Sequence, residues 1–153
     1  MKDLDFLDPF LESATSVIQQ VCNVDISRGE MSEREWLSPE NHTWIQIGMT
    51  GQLQGSVYFG LQDQLALRIV SAMMGGFPVH EMDEMGRSAI SELSNMISGN
   101  ATTILSNKGV AVDITPPTVL LQDEMQGITG TALSAPLDLH DMGRMEIQMV
   151  VVG

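Results

Sequence analysis

The chain has 153 residues, 43% of them hydrophobic, and a formal net charge of -13 from 20 acidic and seven basic residues. That length suits one domain with a proper core over residues 1–153 and is too short for two, while seven dispersed cations give no electrostatic footprint for nucleic acid or anionic lipid. With Asp3 and Asp5 among the first residues and no long apolar run, neither a signal peptide nor a membrane span is expected, which makes the cytoplasm the default location.

Taken in order, Phe6, Phe10, Ala14, Val17, Ile18 and Val21 recur at helical spacing, so a first helix is expected from Phe6 to about Val24, with Pro9 in its first turn. Cys22, the sole cysteine, lies among apolar residues of this helix and reads as a small buried hydrophobe. From Asp25 to Ser38 the pattern is irregular, with room for at most a short strand. From Thr43 the period becomes two: Ile45, Ile47 and Met49, then Leu53, Gly55, Val57 and Phe59, describe a hairpin turning at Thr50-Gly51-Gln52. A second helix from about Asp63 to Met74 ends at Gly75-Gly76.

A third helix is expected from near Glu81 to Gly109, with acidic residues in its first turns as the helix dipole favours. At about 100° per residue, Ala89, Ile90, Leu93, Met96, Ile97, Ala101, Ile104 and Leu105 share one broad apolar side. Asn100 falls on the flank of that side and is expected to be buried and hydrogen-bonded. Opposite stand Ser88, Glu92, Asn95 and Gly99 at i, i+4, i+7 and i+11, a nearly straight column of small polar residues. Ser, Asn and Gly are poor helix formers in an exposed interior, so this face sacrifices stability unless it serves contact or chemistry. Spacing alone leaves both readings open, a working surface or an ordinary solvated one.

Beyond Gly109, strands are expected at Val110–Ile114, closed by Thr115-Pro116-Pro117, and at Val119–Gln122, Thr129–Leu139 and Arg144–Val152, with Gly143 in a turn. Met145, Ile147, Met149 and Val151 share one face of the last. Most of the twelve methionines fit core gaps, Met82 and Met85 least clearly. The succession gives an α+β fold, a mainly antiparallel sheet covered by helices. A weak internal repeat is also visible: Thr50-Gly51-Gln-Leu-Gln-Gly-Ser-Val resembles Thr129-Gly130-Thr-Ala-Leu-Ser-Ala-Pro, and Glu12-Ser-Ala-Thr15 resembles Glu92-Leu-Ser-Asn95.

His42, His80 and His140 are far apart, fit no metal-ligand spacing and read as surface or capping residues; no metal site is expected, the acidic group Glu81, Asp83 and Glu84 reading as a helix start. Phosphate-cradling glycine loops and a G-x-S-x-G elbow are missing, which disfavours nucleotide use and serine hydrolysis.

Ser88-x3-Glu92-x2-Asn95, then Ile97-Ser-Gly99-Asn100-Ala101 and Asp113-Ile-Thr-Pro116-Pro117-Thr, resemble the CheC/CheX/FliY group of chemotaxis phosphatases, most closely its CheX type; Gly51-x-Leu-x-Gly55 and Ala66 resemble the group's first half. The resemblance implies removal of the aspartyl phosphate from a CheY-like receiver domain of a response regulator, in chemotaxis or two-component signalling. On that reading Asn95 positions the attacking water, Glu92 pairs with the receiver's lysine, and Ser88 and Gly99 contact the partner. No cofactor of the chain's own is implied, since Mg²⁺ belongs to the receiver. CheC-like members carry the motif twice, whereas Thr15 stands here where a second asparagine is needed, which points to the single-site CheX type and to a homodimer joined through its sheets. The alternative is a non-catalytic receiver-binding or scaffold domain using the same helix face; a homodimeric ligand sensor with a pocket between helices has only its methionines in favour.

Overall fold

The computed structural model describes residues 3–36, 39–120, 122–125 and 130–151. Among these residues eight strands form one antiparallel sheet, and three helices lie against one of its faces. The first helix, α1 (Asp3–Cys22), begins earlier than its apolar pattern suggested, so Pro9 sits buried inside the helix instead of in its first turn. Asn23, at φ 51°, ends it. Cys22 is half-buried against the core, and burial pushes its thiol pKa up, as expected of a packing residue.

The irregular stretch after α1 holds two short strands, β1 (Ile26–Arg28) and β2 (Ser32–Glu35), where at most one was expected; Leu37 and Ser38 lie outside the described residues. The hairpin β3 (His42–Gly51) and β4 (Gly55–Gln62) follows, then α2 (Asp63–Met73), which ends ahead of Gly75 and Gly76, both at positive φ. The hairpin turns two residues later than its sequence suggested: β3 runs to Gly51, β4 starts at Gly55, and Leu53 is buried in the turn. After α3 (Glu84–Asn107) come β5 (Val112–Ile114), β6 (Thr118–Leu120), a 3-10 turn at Gln122–Met125, β7 (Thr131–Leu139) and β8 (Gly143–Val151). Gly143 opens β8. Of the strand residues expected here, Leu121, Thr129 and Val152 lie outside the described residues.

Sheet order β1-β7-β8-β4-β3-β5, with β2 also on β7 and β6 also on β3, makes the internal repeat explicit. Each half contributes a helix, two short strands and a hairpin, and the short strands of each half pair with the hairpin of the other. Ile26 lies opposite Leu139 as Val112 lies opposite Gly51, and Ser32 opposite Ser134 as Thr118 opposite Gln46. β4 and β8 meet about Tyr58 and Gln148, where the pseudo-twofold axis passes. The counterpart of Thr50-Gly51 is therefore Asp138-Leu139, not Thr129-Gly130. Short polar matches are weak guides to register, because register is set by which face is buried.

Ile45, Ile47, Val57, Phe59, Ala135 and Ile147 point from the sheet into the helix-covered core, each large aliphatic or aromatic residue contributing about 1.5–3 kcal/mol by leaving water. The other face of the sheet carries a smaller cluster of Trp44, Tyr58 and Met125. Trp36 meets Tyr58 edge-on at 4.6 Å between centroids. Gly60 faces Trp44 so closely that a Cβ there would lie 2.5 Å from the indole ring. Among the described residues no helix is long and apolar enough to cross a membrane.

Candidate functional site

The third helix starts at Glu84, three residues after the sequence expectation, because Asp83 caps it: its carboxylate accepts a hydrogen bond from the Gly86 N–H at 2.8 Å. Its buried side runs through Gly86, Ile90, Leu93, Ser94, Ile97, Ser98, Ala101 and Leu105. Two of these are serines, Ser94 and Ser98, which the apolar stripe did not include. α3 packs closely against α1, where small side chains are needed: the Ser13 hydroxyl donates to the Ile97 carbonyl at 2.6 Å, and Ser94 Oγ donates back to Ile90 O at 2.9 Å. The serine-lined seam rotates the helix slightly from the position its apolar stripe predicted. Met96 is consequently 38% exposed, Ala89 and Ile104 are only half-buried, and Asn100, expected to be buried, faces solvent.

The column itself is where its spacing put it. Ser88, Glu92 and Asn95 are exposed and Gly99 half-buried, with nothing within 4 Å of where a Gly99 Cβ would stand. Among the described residues, no hydrogen bond or ion pair engages the side chains of Ser88, Glu92 or Asn95. All three are open to an incoming partner. Met85, 64% exposed, continues the same face one turn toward the amino terminus.

Helical spacing could not reveal what lies opposite. Ser88, Ser91, Glu92 and Asn95 form one wall of an open groove of about 580 Å³, and Ile114, Thr115, Pro116 and Pro117 form the other. Gly99 is not part of it. Ser91 is not a member of the sequence column, standing one residue aside from it, although i+3 from Ser88 puts it on the same flank. The loop between β5 and β6 reaches this position because both strands pair with β3, leaving Thr115 beside Gly48. Thr115 N–H donates to Gly48 O at 2.9 Å and Gly48 N–H donates to Thr115 Oγ1 at 2.8 Å.

Chemically, the helix wall offers one carboxylate, one carboxamide and two hydroxyls, and the loop wall offers apolar surface whose two prolines lack N–H donors. Among the described residues, no histidine, lysine or cysteine lines the groove to activate Ser88 or Ser91 as a nucleophile. Among the described residues no group of three or more His, Cys, Asp or Glu could hold a metal ion. His80 and His140 are exposed, and His42 caps locally on Glu40 O at 2.8 Å. Such a wall suits orienting a water molecule and meeting a cation.

A family model described as chemotaxis phosphatase CheX matches residues 44–133. The chain is 35% identical over 150 residues to the CheY-P phosphatase CheX of Thermotoga maritima, covering 97% of each. Among solved structures it is similar to a CheC-like superfamily protein from Shewanella sp. PV-4, at 26% identity, TM-score 0.81 and 100% of both chains. It is also similar to a chain of the CheX-CheY-BeF3-Mg2+ complex from Borrelia burgdorferi, at 25% identity and TM-score 0.76, covering 98% of this chain and 99% of that one.

Proposed function

Since the chain belongs to the CheX family of chemotaxis phosphatases, we propose that it hydrolyses the aspartyl phosphate of a CheY-like receiver domain, with Asn95 positioning the attacking water and Glu92 pairing with the receiver's lysine. The observation that carries this reading is the unpartnered, exposed pair Glu92 and Asn95 on a long helix, facing a groove. An acyl phosphate is already reactive, and the Mg²⁺ that neutralises its oxygens comes with the receiver, so little more is required than an oriented nucleophile and exclusion of bulk water. The Asn95 carboxamide both donates and accepts, which lets it hold a water in line with the phosphorus–oxygen bond to be broken. Water oxygen bonds to phosphorus as the aspartate carboxylate leaves. Glu92, an acceptor-only carboxylate, meets the receiver's ammonium group and fixes the angle of approach. Ser88, one turn earlier, extends the contact, and Gly99 leaves room for the receiver backbone beyond Asn95. The packing of α3 on α1 supplies the rigidity that delivery of one amide demands.

This reading includes a homodimer joined through the sheets and a cytoplasmic location beside the receiver; sedimentation of the pure protein tests the first. The decisive experiment follows phosphate release from phosphorylated receivers mixed with the pure protein. Asn95→Ala slows release by ~10²-fold or more, as loss of one preorganised polar group does elsewhere, while receiver binding persists. Glu92→Ala weakens association. Unchanged turnover in Asn95→Ala rejects the mechanism, and binding by the wild type with no acceleration identifies a non-catalytic receiver-binding domain instead.

A further inference from the structure

We infer that Thr115 is a positioning residue, and that the loop it pins, Ile114–Pro117, is a second receiver-binding wall that sets affinity while the helix wall carries the chemistry. This inference rests on the phosphatase reading above and identifies where else on the groove the receiver is held. The loop is held to the middle of β3 by two hydrogen bonds between Thr115 and Gly48, one from each N–H, at 2.9 and 2.8 Å. Gly48 makes the approach possible: a Cβ there would lie 3.2 Å from both Thr115 Cγ2 and Thr115 Oγ1.

The pseudo-twofold supplies an internal control. Gly29 occupies the place of Thr115 in the first half, and Pro136 the place of Gly48. Gly29 N–H donates to Pro136 O at 2.9 Å, so the backbone bond is common to both halves. The side-chain bond cannot form there, because Gly29 has no hydroxyl and Pro136 no N–H. The added clamp is thus found in the half that carries the groove.

What the clamp holds in place is a stiff, uncharged surface. Pro116 and Pro117 have restricted φ, and a residue preceding proline is confined to extended backbone, so the wall loses little freedom when a partner docks. An uncharged wall also adds no repulsion toward a partner presenting a phosphorylated carboxylate; among the described residues, Glu92 is the only charged side chain lining the groove. The occupant is the receiver surface beside its phosphoaspartate, touching the prolines while the reacting atoms meet Asn95.

The test compares wild type, Thr115→Val and Thr115→Ser in steady-state hydrolysis of a phosphorylated receiver. It also measures their affinity for the same receiver loaded with beryllofluoride and Mg²⁺. Thr115→Val keeps the shape and loses the acceptor; KM and Kd rise by roughly three- to tenfold, the worth of one hydrogen bond of preordering, while kcat stays within about twofold. Thr115→Ser restores the acceptor and returns KM to near the wild-type value. Pro116→Ala, on the exposed wall itself, gives a smaller rise and serves should Thr115→Val fail to fold. Unchanged KM and Kd in folded Thr115→Val, or a fall in kcat at constant KM, overturns the inference. If the wild type binds receivers without hydrolysing them, the phosphatase reading fails and the Kd values alone decide the wall: weaker binding by Thr115→Val supports it, equal binding overturns it. A wild type that binds no receiver overturns both.

Discussion

On the first helix, Asp8, Glu12 and Thr15 stand at the spacing that Ser88, Glu92 and Asn95 keep on the third, and it is the second set that lines the groove facing Ile114–Pro117. Three differences separate them. Thr15 turns its hydroxyl back to the Leu11 carbonyl at 2.8 Å, so it presents no carboxamide and no free donor. Arg28, the counterpart of Ile114, pairs at 2.5 Å with Asp8, which stands where the spacing puts Ser88 on the third helix, so this carboxylate already has a partner. Gly29 replaces the hydroxyl that clamps the loop at Thr115. A duplicated framework has therefore kept its packing in both halves and its approachable face in one, because packing tolerates any pair of complementary shapes whereas a site needs particular polar atoms left without partners.

The largest effect expected from perturbing this asymmetry is functional. Asn95→Ala lowers phosphate release from a phosphorylated receiver by ~10²-fold or more, whereas Thr15→Ala leaves it unchanged. Adding Thr15→Asn to Asn95→Ala restores nothing, since Arg28 still engages Asp8 and no clamped loop stands beside them; recovered turnover in that double variant would show both halves to be competent. Next comes packing. Gly29→Ala places a Cβ 2.4 Å from Pro136 Cγ and is expected to destabilise by about 1–3 kcal/mol, while Gly48→Ala, at 3.2 Å from Thr115, is milder. Chemical denaturation of the two variants ranks them, and Pro136→Ala in the Gly29→Ala background recovers most of the loss. Ser13→Ala removes the hydroxyl bonded to Ile97 O across the α1–α3 seam and costs about 1 kcal/mol, read as a lower denaturation midpoint at unchanged slope. Smallest of all, Arg28→Ala breaks an exposed ion pair for about 0–1 kcal/mol, and the difference from wild type shrinks in high salt. A large loss there would mean that the bridge holds the fold.

Much of this molecule was legible before any tertiary contact was known. Alternation at Ile45, Ile47 and Met49 marked a strand, Gly75-Gly76 marked a helix end, and the spacing of Ser88, Glu92 and Asn95 put all three on one exposed face of α3. These are local properties, set by a period of about 3.6 or 2 and by residue types that the backbone accepts or refuses. The same local reasoning misplaced Met96 and Asn100, because the turn of α3 about its axis is decided by the serine seam against α1, which no period within one helix encodes. It also missed Ser91 and could not assign the wall at Ile114–Pro117. That wall stands opposite Asn95 only because β5 and β6 pair with a strand more than sixty residues earlier, as Met49 opposite Ile114 shows. The sequence by itself determined which atoms are offered on the helix; the tertiary structure alone decided what they face, since apposition depends on strand register and close packing across long separations.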